Sequence, residues 1–79
     1  MPVVFRSDGY KFLFYSNEGD PREAHHVHVV RGRDKAKFWL KPVALATNQG
    51  FDARTLRALE RLVEQHSLLI ERVWNEYFR

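Results

Sequence analysis

The hydrophobic period of this chain changes once, at Phe51, and that change constrains the fold more than any other feature. Before it, apolar and β-branched residues recur at every second position in short runs, the spacing that lays one face of a strand on a core. After it, Leu56, Leu59, Leu62, Val63, His66, Leu69, Ile70, Val73, Trp74 and Tyr77 recur at about 3.6 residues, the stripe of an amphipathic helix. At 79 residues the chain can hold one core and no second independent unit. The expected class is α+β, in a single domain over 1–79. A small antiparallel sheet of two β-hairpins (about 2–41) leads through a connector (42–51) to one long C-terminal helix (about 52–78) packed on it.

The runs Val3-Val4-Phe5 and Tyr10 to Tyr15 flank Ser7-Asp8-Gly9, and an Asp-Gly pair between such runs predicts a hairpin. In the second run Tyr10, Phe12 and Phe14 share one face and Lys11, Leu13 and Tyr15 the other, a strand apolar on nearly both sides and therefore central. Residues 16–23 combine turn formers, charge and a proline, which marks the longest loop. His25 to Val30 and Ala36 to Leu40 form the second hairpin around a basic turn, with Phe38 and Leu40 pointing one way and Lys37, Trp39 and Lys41 the other. Pro42 cannot donate to a ladder, so it closes the last strand and leaves Val43 to Asn48 as a short helical turn or an extended connector.

Asp52 fits the N-cap of the helix, with Phe51 spaced to staple onto Leu56. A straight helix over 52–78 would be about 40 Å long, more than short strands can cover. Its end, carrying Trp74, Tyr77 and Phe78, is therefore expected to project toward a partner, either a small cognate protein or a second copy in a homodimer.

Composition narrows the chemistry. Hydrophobic residues make up 44% of the chain and aromatics 14%, enough apolar surface to fold. The absence of cysteine removes disulfides, thiolate metal sites and cysteine nucleophiles. Thirteen basic against ten acidic side chains give a net charge of +3, which permits RNA or DNA as a partner without demanding it. Met1 to Arg6 does not read as a signal peptide, and no stretch approaches the roughly 20 apolar residues of a membrane span, so a cytoplasmic protein away from membranes is expected.

The segment His25-His26-Val27-His28 carries the clearest chemistry. On a strand His26 and His28 stand side by side, with His25 facing away or in the loop. Three readings stay open. His26 and His28 can serve as general base and acid in metal-free phosphodiester cleavage, beside Arg31, Lys37 and Tyr15, if the second, third and fourth strands are neighbours. They can hold a divalent metal if Glu18 or Asp20 supplies a third ligand. They can also simply pack against Trp39 across the hairpin. Arg31, Arg33 and Lys37 beside Trp39, with Lys35 and Lys41, form a basic surface with an aromatic, suited to a nucleic-acid backbone and a stacked base; lysines on an edge strand also guard against aggregation. His66 on the apolar stripe fits a hydrogen-bonded boundary histidine better than a ligand.

Across its whole length the chain resembles the small bacterial domain of unknown function 4160 family. The likeness rests on Pro2-x-Val4-Phe5-Arg6, Phe14-Tyr15-Ser16-Asn17-Glu18, His26-Val27-His28-Val29, Ala36-Lys37-Phe38-Trp39-Leu40, Asn48-x-Gly50-Phe51 and the final helix. Pro21-Arg22-Glu23-Ala24-His25 departs from the family's short Pro-rich run. The resemblance implies a compact two-gene locus, and with it a toxin–antitoxin-like component or small regulator that works with a partner.

Overall fold

The fold, seen in a computed structural model that describes residues 3–15 and 24–78, is built from tight turns. Strand β1 (Val3–Ser7) reverses through Asp8-Gly9 into β2 (Tyr10–Leu13). Both turn residues have positive φ, 51° and 84°, the backbone of a two-residue hairpin whose twist matches its strands. Strand β3 (His26–Arg31) turns through Gly32-Arg33 into β4 (Asp34–Leu40), which turns through Lys41-Pro42 into β5 (Val43–Gln49). All neighbours are antiparallel, in the order β1-β2-β3-β4-β5. The architecture is α+β, as expected, but the sheet has five strands rather than two hairpins.

The fifth strand corrects the connector expected over 42–51. Pro42 does end β4, but within a two-residue turn, after which the chain pairs again from Leu40↔Val43 to Lys35↔Gln49. The alternation of β5 is broken because Thr47 pairs with Lys37 while Leu45 pairs with Phe38, which leaves Ala46 as a bulge. Its two alanines also favour strands weakly, so cross-strand pairing rather than local preference makes this segment a strand.

The second correction concerns the helix. Helix α1 (Ala53–Gln65) and helix α2 (Ser67–Tyr77) meet at His66, whose φ of −108° and ψ of 14° leave the helical region. The i→i−4 bonds His66 N to Leu62 O and Ile70 N to His66 O, at 3.1 and 3.0 Å, close the last turn of α1 and open the first of α2, so the ladder is interrupted only around His66, where the axis bends. The His66 ring stacks on Phe5 at 4.4 Å, and its Nδ1 donates to Leu62 O at 2.9 Å, which places the ring at the boundary as expected. Asp52 caps α1 by accepting from Thr55 N at 2.7 Å.

Leu59 and Val63 of α1 and Ile70 and Trp74 of α2 pack with Phe12, Val27, Val29, Ala36, Phe38 and Leu40 from one sheet face, and with Phe14, Phe51 and Phe78. The bend keeps both halves of the stripe on this face. Gly50, with φ of 102°, lets β5 enter α1 past Asp34: a Cβ at this position would fall on the Asp34 carboxylate. No helix among the described residues is long and apolar enough to cross a membrane.

Candidate nucleic-acid interface

The pairing register divides the sheet into two chemically different faces. Phe12↔Val29↔Ala36 and Val27↔Phe38 lie under the helices. The alternate residues, Lys11↔Val30↔Lys35, Leu13↔His28↔Lys37 and His26↔Trp39, share the opposite face. Lys11 and Lys35 are exposed there, and Lys37 and Trp39 are half-buried. Asp34 is the one carboxylate in the five strands, and its alternation with Ala36 and Phe38 puts it on the helix side. The outer face of the strands therefore carries cations and no anion among the described residues.

Neighbouring strands β2, β3 and β4 bring Tyr15, His26, His28, Lys37 and Trp39 together. The rings of Tyr15 and His28 are 4.3 Å apart, those of His26 and His28 5.1 Å, and those of His26 and Trp39 5.8 Å. The Lys37 ammonium sits 4.6 Å from the Trp39 ring centroid, a cation–π contact that holds a charge beside an aromatic surface. Arg31 does not join this group.

His26 has no exposed surface; its ring meets Trp74 at 5.0 Å as well as Trp39 and His28, and Nδ1 donates to Ala24 O at 2.8 Å. The His26 imidazole is thus enclosed, while His28 keeps part of its surface open. His25 faces the other way and donates from Nδ1 to Glu71 Oε2 of α2 at 2.7 Å, with Lys41 Nζ 3.5 Å from the same oxygen. Of the metal set His26, His28 and Glu18, Glu18 lies outside the described residues, and no three His, Cys, Asp or Glu side chains gather to hold a metal ion among those described.

Arg31 and Arg33 lie at the far end of the β3–β4 hairpin, on the helix side. Arg31 Nη1 donates to the Tyr10 hydroxyl at 3.2 Å, and its guanidinium stands 5.0 Å from the Tyr10 centroid. Both arginines line a cavity of about 590 Å³ with Tyr10, Asp34, Asp52 and Thr55. The quartet Arg31, Arg33, Lys37 and Trp39 is thus split between two places. At the cavity rim, the Thr55 backbone N–H and hydroxyl hold the Asp52 carboxyl below the usual carboxylate range, with lesser help from Arg54 and Arg57.

The projecting aromatic end also needs correction. Trp74 is fully buried, in edge contact with Phe14 at 5.1 Å, and Phe78 is 8% exposed, so both belong to the core; Tyr77 alone of the three is exposed, at 42%. The bend at His66 brings this end back onto the sheet. Lys11, with Arg6 paired opposite it, is an outer-face residue that sequence reasoning passed over. Its alternation with Leu13 and Tyr15 was visible, but its place beside Lys35 depends on strand order.

A family profile described as Domain of unknown function (DUF4160) matches residues 9–75. The chain belongs to this family. The DUF4160 match runs from the β1–β2 turn to Asn75 in α2, and takes in the outer face from Lys11 to Trp39 together with Arg31 and Arg33. No curated protein and no solved structure matches the chain.

Proposed function

We propose that this DUF4160 chain binds single-stranded RNA on the outer face of its sheet and does so as one member of a toxin–antitoxin-like pair. The observation that carries the reading is the Lys37–Trp39 contact at 4.6 Å, on a face that also presents Lys11 and Lys35 and no strand carboxylate. Lysines neutralise phosphates, and an indole offers a stacking surface that accepts any base. His28 and Tyr15, whose rings meet at 4.3 Å with a 52° tilt, add a second aromatic surface next to Lys37. Burial of His26 favours binding over histidine-dependent cleavage. The rival reading, a protein partner held by the helix end, loses two of its three anchors to the core, since Trp74 and Phe78 are buried.

The test is fluorescence anisotropy of a labelled single-stranded RNA titrated with the protein at several salt concentrations. With Lys11, Lys35 and Lys37 each meeting a phosphate, the slope of log affinity against log salt is expected at about −2. Absence of binding at low salt, or binding indifferent to salt, rejects the reading.

A further inference from the structure

The cavity at the opposite end of the β3–β4 hairpin takes no part in the outer face, and its chemistry is more specific. Its walls come from three separate segments: Tyr10 at the start of β2, Arg31 to Asp34 at the hairpin turn, and Asp52 with Thr55 at the start of α1. Its volume of about 590 Å³ suits a ligand the size of a mononucleotide. Arg31 is already oriented, by the Tyr10 hydroxyl at 3.2 Å and by the Tyr10 ring under its guanidinium. Neither Arg31 nor Arg33 has an ion-pair partner within 4.0 Å among the described residues, so two guanidiniums retain donors for an anion.

The acidic groups of the same wall limit what that anion is attached to. Asp52 accepts from Thr55 N and so spends one oxygen on its own helix, which leaves the arginines rather than the helix start as the anion-binding element. Asp34, set against Gly50, lines the same cavity as the guanidiniums and brings carboxylate acceptors to its wall. A bare phosphate gains nothing from those carboxylates. A phosphate ester on a ring with N–H donors satisfies both kinds of wall.

We propose that this cavity binds the phosphate of a nucleotide whose base carries an exocyclic amino group, with Arg31 and Arg33 on the phosphate, Tyr10 beside the ring and Asp34 accepting from the amino group. The proposal rests on the nucleic-acid reading of the outer face, because the nucleotide can be the end of a bound RNA strand; a free mononucleotide presents the same chemistry.

The experiment is a titration of the full chain, isotopically labelled, with AMP, UMP and inorganic phosphate, read from backbone amide shifts. AMP is expected to shift residues 31–34 and 50–52 saturably below about 10 mM, the range of a weak site, and more tightly than UMP or phosphate. The Arg31→Ala/Arg33→Ala variant is expected to lose these shifts, and Arg33→Glu alone, at an exposed turn position, to lose them in a chain with unchanged circular dichroism. No saturable shift with AMP, or equal shifts in the variants, overturns the proposal.

A second arm separates the sources. An oligoribonucleotide with a 5′-phosphate that binds more tightly than its 5′-hydroxyl counterpart, through Arg31 and Arg33, identifies the strand end as ligand; AMP binding with no difference between the oligonucleotides identifies the free nucleotide. RNA bound without any AMP site removes the cavity proposal and leaves the outer-face reading standing. AMP bound without RNA does the reverse.

Discussion

At the scale of single residues, the histidine pair shows how one alternation yields two unlike environments. His26 and His28 do share a face, with rings 5.1 Å apart, as their spacing requires. Their burial differs because His26 begins β3 at the place where Trp74 of α2 reaches the end of the sheet, a contact between distant segments that no local pattern records. His26→Ala is expected to cost about 3 kcal/mol of stability, like other truncations of buried rings, and to leave RNA affinity unchanged in the folded protein. His28→Ala should cost much less stability and weaken RNA binding; urea unfolding and anisotropy on both variants check the pair. Asp52 gives a pH prediction of known sign. Its folded pKa lies below the unfolded value, because the Thr55 N–H bonds the charged form. Its contribution to stability is therefore complete above the unfolded value of about 3.9 and is lost as pH falls through the folded one. The stability gap between wild type and Asp52→Ala, measured by thermal unfolding, should be constant near neutrality and narrow below about pH 4.

Among elements, the legible ones are those whose own residues state their period. The paired alternation of β1 to β4, the Asp-Gly turn, the Asp52 cap and the apolar stripe from Leu56 to Trp74 all express themselves locally, and the structure contains each of them. Strand β5 is illegible for a physical reason: the bulge at Ala46 interrupts its alternation, and its alanines carry little strand preference. The bend at His66 is hidden in the same way, because the apolar period runs straight through it. What the bend achieves is testable. With Trp74 wholly buried, Trp74→Ala should cost about 3–5 kcal/mol or prevent folding. Tyr77→Ala, at a 42% exposed position, should change stability by less than about 0.5 kcal/mol in the same urea titration. Equal effects would mean that α2 does not return its aromatic end to the core.

For the whole molecule, the chain separates its two halves by charge as well as by period. The strands contribute Arg6, Lys11, Arg31, Lys35 and Lys37 against the single Asp34, whereas the helices balance Glu60, Glu64, Glu71 and Glu76 with Arg54, Arg57, Arg61 and Arg72. A net charge of +3 therefore understates how basic the sheet is. The sequence carried the members of this surface but not their grouping, since Lys11 joins Lys35 only through the order β2-β3-β4, and Arg31 leaves the group only because alternation turns it to the helix side. The most direct measurement compares RNA affinity, by anisotropy at low salt, for wild type, Lys11→Glu/Lys35→Glu and Arg54→Glu/Arg61→Glu. The last pair changes net charge equally at exposed positions of α1. Binding through the outer face predicts a loss of about tenfold or more for the lysine pair and a much smaller loss for the arginine pair. Equal losses in the two variants, or none for the lysines, would contradict it.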